Sequence, residues 1–155
     1  MLLPLAGIPV CPIPPLHLDQ SRQVLLFEHL QQLFNSPTFI STDDAISSVL
    51  SLVPTLKTLS ISRLAAVDIH LDAYSRIFPF TTFKPDDIVC FMLTSGSTGN
   101  SKAVGLRHSN LLSCIRGKAK HHNTASSSRL LNWIAFDHVA CISDVLLQAL
   151  MADAR

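Results

Sequence analysis

The chain of 155 residues has the usual size of one domain, or of part of one, and is long enough to bury a core of its own. With 48% apolar residues, 15% charged residues and a net charge of +1, it has neither the make-up of a disordered tail nor the basic stripe that draws in nucleic acid. The opening run MLLPLAGIPVCPIPPL lacks a positive n-region, and Pro4, Pro9, Pro12, Pro14 and Pro15 would break an inserted helix, so it reads as neither a signal peptide nor a membrane span.

That Pro-rich start predicts a short apolar strand or turn and then an extended connector. From Ser21 to Phe34 the spacing of Val24, Leu25, Phe27, Leu30 and Phe34 predicts an amphipathic helix, ended by Asn35, Ser36 and Pro37. Thr38 to Ser41 is short and β-branched, as a buried strand should be. Thr42 is placed to cap a helix running to about Val53, with Asp43 and Asp44 where the macrodipole favours acids, and Pro54 stops it. Leu56 to Ile61 reads as the next strand, while Ala65 to Arg76 is ambiguous between a helix and an irregular crossover.

Lys84 to Asp87 form a polar turn before Ile88 to Thr94 (IVCFMLT), a continuous strand suited to the middle of a parallel sheet. The strand feeds a Gly/Ser loop, and Ala103 to Leu106 reads as the return strand. Ser109 is placed to cap a helix that turns Leu111, Leu112 and Ile115 inward and carries Arg116, Lys118 and Lys120 near its negative end. After a loop at Asn123 to Ser128, Leu130 to Phe136 (LLNWIAF) predicts a buried strand with Trp133 and Phe136 in the core. From His138 the spacing of Val139, Ile142, Val145, Leu146 and Leu150 is helical. Strands alternating with helices imply an α/β fold, a doubly wound layer whose ligands sit at the carboxyl ends of strands. The four cysteines form no CxxC pair and lie mostly in apolar runs, which suits reduced, packed thiols in a cytoplasmic protein. His121 and His122 are adjacent, so they diverge around a helix and form no chelating face; they read as a solvated helix end.

The loop holds the chemistry. A phosphate needs backbone donors that approach closely, plus hydroxyls or a lysine, and Gly96, Ser97, Thr98, Gly99 and Lys102 supply all three. A Walker loop would need glycine at position 101 and a hydroxyl at position 103. Ser101 and Ala103 stand there, so that loop's magnesium ligand is missing. By glycine content alone, a turn that holds nothing stays open as the alternative. The order strand, TSGSTGNSK, strand is more specific than a generic turn.

FMLTSGSTGNSK, the trailing LRHSNL and the downstream LNWIAFDHV together resemble the adenylate-forming superfamily of acyl-CoA synthetases, luciferases and peptide-synthetase adenylation domains, with Ser101 where many members carry proline. The wording is most similar to the adenylation domains of fungal synthetase-like enzymes. The resemblance implies that ATP and a carboxylic or amino acid combine to an acyl adenylate and pyrophosphate, and that a CoA or carrier-domain thiol then takes the acyl group. It implies that Thr94, Ser95, Gly96, Ser97, Thr98, Gly99 and Lys102 lie over the triphosphate, with Mg2+ accompanying the nucleotide. It also puts Asp137 and His138 in the substrate pocket. Amino-acid-activating members place an aspartate there for the substrate ammonium and acyl-activating members a histidine; FDHV aligns either way, and Asp137 could instead cap the following helix.

The family's adenine, ribose and catalytic-lysine segments are not found in the sequence, and its opening looks like an internal strand. Residues 1–155 are thus expected to be an internal fragment of one AMP-binding domain, a partial doubly wound layer without a complete second domain. The alternative is a non-catalytic, degenerate nucleotide-binding or interaction module.

Overall fold

A computed structural model describes residues 8–66, 84–94 and 101–154. The chain divides into two compact units, Pro15–Ile77 and a second made of Met1–Pro14 with Phe78–Arg155. Both mix helix and strand, as the α/β expectation requires.

In the first unit, α1 (Gln20–Leu33) begins at Asp19, whose Oδ1 accepts from the amides of Ser21 at 2.9 Å and Arg22 at 3.4 Å. The helix buries Gln23, Phe27 and Leu30, and the Phe27 ring meets that of Phe39 edge-on at 5.1 Å. The inward stripe therefore starts from Gln23; Leu25, expected inside, is 65% exposed. Asn35 and Ser36 both take positive φ, 51° and 63°, and turn the chain into β1 (Thr38–Ser41). Helix α2 (Asp43–Leu52) is capped by Thr42 as expected, with Ile46 and Val49 buried. It crosses over to β2 (Lys57–Ser60), which pairs in parallel with β1 from Thr38↔Lys57 to Ser41↔Ser60, a βαβ unit.

Ile61, expected at the end of a strand, opens α3 (Ile61–Ala65) instead, because the Ser60 hydroxyl accepts from the amides of Ser62 and Arg63 and starts a helix there. The ambiguous stretch after Ala66 lies outside the described residues.

The starts of α2 and α3 meet where Ser62 Oγ donates to Asp43 Oδ2 at 2.5 Å. The hydroxyl of Ser62 first, then that of Ser60, holds the Asp43 carboxyl below its usual range. A depressed folded pKa means that this contribution is present above the unfolded carboxylate range and is lost as pH falls through the lower, folded value. Ser62→Ala is therefore expected to flatten the acid side of the stability profile. Thermal midpoints followed by circular dichroism from neutral to acidic pH check this; equal acid losses in both proteins would refute the linkage.

In the second unit, the turn Lys84–Asp87 is closed by the Lys84 amide donating to Asp87 Oδ2 at 2.8 Å and leads into β3 (Ile88–Thr94). Strand β3 is central, but its surroundings are mixed rather than parallel. Antiparallel β4 (Lys102–Arg107) lies on one side and Val10 bridges Cys90 in parallel on the other. The Val10 amide donates to the Val89 carbonyl at 3.3 Å and its carbonyl accepts from the Phe91 amide at 2.7 Å. Gly105 in β4 lets the strands close up: a Cβ there would stand 3.2 Å from Ile88 Cδ1 and 3.3 Å from Phe91 Cε1.

Helix α4 (His108–His122) starts one residue before the expected Ser109 cap. The carbonyls of Asp87 and Pro85 accept from the amides of His108 and Ser109, and Asn110 Oδ1 accepts from the Arg107 amide at 3.2 Å, so the leading donors are satisfied without a serine cap. Leu111 and Ile115 pack with Cys90 and Met92 as the core of this unit. Leu112, expected inward, is 44% exposed. Burial raises the thiol pKa of Cys90, and burial first and Cys90 second push Cys11 up to about 11, so both stay protonated at neutral pH.

Leu130–Phe136 departs most from expectation. It forms no strand, bending at Ile134 and turning at Phe136, and Leu131, Trp133 and Phe136 are 83%, 85% and 65% exposed. Asn132 accounts for part of this. Its side chain accepts from the Ile134 amide at 3.0 Å and donates to the Ile134 carbonyl at 2.9 Å, taking the groups a strand ladder would use. The chain then forms a π-helical segment, Cys141–Leu146, and α5 (Leu147–Ala152). The wider π turns shift the inward face. Cys141, Ser143 and Gln148 are buried, whereas Val139 and Leu150 of the expected apolar stripe are 41% and 62% exposed. Among the described residues no helix is long and apolar enough to cross a membrane.

Candidate functional site

Two groups of sequence-predicted site residues fall on different elements of the second unit. Thr94 and Lys102 are the last residue of β3 and the first of β4, and they are direct partners in the antiparallel register. Thr94 Oγ1 donates to the Lys102 carbonyl at 3.4 Å, adding a side-chain tie at the root of the hairpin. Both residues are exposed. Ser95, Gly96, Ser97, Thr98 and Gly99 lie outside the described residues. The root is held from below: Cys90 and Met92 of β3 are 4% exposed and sit on Leu111 and Ile115 of α4. At the far end of the hairpin Arg107 Nη1 donates to Asp86 Oδ1 at 3.1 Å.

Asp137 and His138 stand at the corner between the irregular segment Leu130–Phe136 and the π-helical segment. The His138 amide donates to the Ala135 carbonyl, and its carbonyl accepts from the amides of Cys141 at 3.0 Å and Ile142 at 3.4 Å. His138 Nδ1 accepts from the Ala140 amide at 3.4 Å, so the helix start is capped by His138 and not by Asp137. In a neutral imidazole this puts the proton on Nε2 and leaves that edge as a donor. Behind the corner lies a cleft of about 170 Å³ lined by Leu130, Asn132, Phe136, Cys141, Val145, Leu146 and Ala149. Its walls are apolar except for Asn132, whose Nδ2 also donates to Cys141 Sγ at 3.3 Å. Phe136 thus lines a cleft, where the sequence had suggested core.

Of the residues that join the two groups, Lys118 was named from sequence in another role, and Ser143, Asp144 and Gln148 were not singled out. Lys118, expected near the negative end of α4 as a dipole partner, instead donates to Ser143 Oγ at 3.0 Å and pairs with Asp144. One turn further on, the amide of Gln148, fully buried, contacts His122 Nδ1 at 3.3 Å and the Thr124 hydroxyl. The available signal was two polar residues, Ser143 and Asp144, inside an otherwise apolar helical run. His121 and His122 remain exposed, as a helix end should be.

Comparison with known proteins gives these positions a context. The family model described as AMP-binding enzyme matches residues 18–155. A nonribosomal peptide synthetase of Ascocoryne sarcoides is 38% identical over 129 residues, which are 79% of this chain and 13% of that protein. An atromentin synthetase of Paxillus involutus is 36% identical over 138 residues, 88% of this chain and 14% of that protein. Among solved structures, the adenylation domain of a keto acid-selecting peptide-synthetase module, bound to a keto acyl adenylate, superposes with a TM-score of 0.81 at 20% identity. That match covers 97% of this chain and 27% of the other. The chain thus spans about a seventh of the length of the curated relatives it matches.

Proposed function

The chain belongs to the AMP-binding enzyme family, and from that premise we propose that it is an internal piece of an ATP-dependent carboxylate-activating enzyme. In the reaction a carboxylate oxygen of the acid attacks the α-phosphorus of ATP. The new bond is the acyl phosphate anhydride, the bond from the α-phosphorus to the bridging oxygen breaks, and pyrophosphate leaves with the electron pair. A carrier or CoA thiol then attacks the acyl carbon: the thioester bond forms, the bond from that carbon to the phosphate oxygen breaks, and AMP leaves with the electron pair. Two anions must meet, so the barrier is largely electrostatic, and donors aimed at the β and γ phosphates are the natural device.

The observation that carries this reading is the pairing of Thr94 with Lys102. It closes the hairpin so that the first hydroxyl of TSGSTGNSK and its single lysine stand side by side at one mouth. There, the hydroxyls, the loop amides of Ser95 to Gly99 and the Lys102 ammonium would gather the triphosphate. Mg2+ accompanying the nucleotide would supply further charge neutralisation beside the Lys102 ammonium.

At the other corner Asp137 would pair with the ammonium of an amino acid, or His138 Nε2–H would donate to an acid that lacks one. The apolar walls of the adjoining cleft suit an acid with an apolar body. The test is acid-dependent exchange of labelled pyrophosphate into ATP, with a panel of amino, keto and aryl acids. It is run on the 155-residue chain and on the same segment grafted into an adenylation domain of a fungal relative. The graft is expected to exchange and the chain alone is not. A folded but inactive graft would refute carboxylate activation; exchange by the chain alone would refute its being a piece.

A further inference from the structure

The two halves of the candidate site are tied together by one charged contact. Helix α4 continues directly from the phosphate hairpin through Arg107. The π-helical segment continues from the Asp137–His138 corner and is locked to it by the amides of Ala140, Cys141 and Ile142. Between them the Lys118 ammonium donates to both Ser143 Oγ and Asp144 Oδ1, and Ser143 Oγ donates to Asp144 Oδ1 at 2.5 Å. Ser143 is 3% exposed, and the side chains of Lys118 and Asp144 are 34% and 35% exposed, so the triangle is shielded enough for its geometry to be held.

A cation spending its donors on a helix ten residues past the α4 start does nothing for phosphate binding itself. What it does is fix the depth and rotation of the segment that carries the acid-facing corner. Apolar packing of Ile142 and Leu147 on the α4 core is non-directional and would allow that segment to slide or roll. The ion pair and its hydroxyl supply direction.

We propose that Lys118, acting through Ser143 and Asp144, is a positioning residue for the acid subsite, setting the Asp137–His138 corner against the helix that extends from the phosphate hairpin. The inference rests on the assignment of that corner to the acid, and it predicts an effect on the acid side alone.

Hydrogen exchange on the full 155-residue chain tests it without any need for turnover. Lys118→Met is expected to speed exchange of the Ala140, Cys141 and Ile142 amides by roughly threefold to tenfold, the weight of a charge-assisted bond discounted for partial exposure. The β3 amides should be unchanged, and Lys118→Arg should keep the protection. Should Lys118→Met fail to fold, Ser143→Ala is expected to give a smaller rise at the same amides.

In the grafted domain Lys118→Met should raise the acid KM and leave the ATP KM alone. Unchanged exchange at residues 140–142, an equal rise in β3, a failure of arginine to rescue, or ATP and acid KM rising together would each overturn the proposal. Failure of the wild-type graft to exchange pyrophosphate would remove the functional reading, while the exchange data would still decide whether Lys118 positions the corner.

Discussion

Ile115→Ala is expected to cost the second unit about 2–5 kcal/mol, the range for emptying a packed aliphatic site, seen as a shifted denaturant midpoint with little change in slope. Ile115 is 4% exposed and packs in one cluster with Cys90, Met92 and Leu111, with Val10, Leu106 and Ile142 against it. That cluster gathers residues of the hairpin, the N-terminal bridge and the π-helical segment around one point of α4. The internal control is Leu112→Ala on the same helix: it is 44% exposed and should cost about 1 kcal/mol or less. Equal losses from the two would mean that α4 does not bury the face described.

Lys102→Ala should weaken ATP binding by about tenfold to hundredfold, the weight of one charge-assisted contact to phosphate, without moving the unfolding midpoint. The separation of effects follows from geometry. The backbone of Lys102 makes the ladder with Thr94, which alanine can also make, while its ammonium is exposed and holds no part of the core. Titration of ATP against the wild-type graft, Lys102→Ala and a Lys120→Ala control checks this. An unchanged affinity for Lys102→Ala would take the lysine out of the phosphate site. A loss matched by Lys120→Ala would reduce the effect to net charge.

The elements that were legible in the sequence are those decided locally. Thr42 before two aspartates is a cap wherever the helix packs, and IVCFMLT followed by a Gly/Ser loop is a strand whatever lies beside it. Val10 is different, since its pairing with Cys90 is non-local and no local pattern announces it.

Leu130 to Phe136 misled for the same reason in reverse. Apolar composition says that a segment can be a strand, but pairing needs a neighbour, and Asn132 spends its amide on Ile134 instead. At the candidate site the expected end of the first strand, Thr94, is the observed one, while the return strand starts at Lys102, one residue before the expected Ala103. The sequence offered Asp137 alone as a cap; that the His138 ring accepts from the Ala140 amide is set by the geometry of the corner. Lys118 was read as a dipole partner because its own helix gave no hint of Asp144.

The bridge between Val10 and Cys90 also bears on the order of assembly. The hairpin and α4 are neighbours in sequence and can form early, whereas joining residues 10 and 90 means closing a long loop, an entropic cost that local contacts do not carry. Until that closure, the Val89 carbonyl and the Phe91 amide present an open strand edge. Before that closure β3 is open to intermolecular strand addition, and the pairing of Val10 is what ends this exposure.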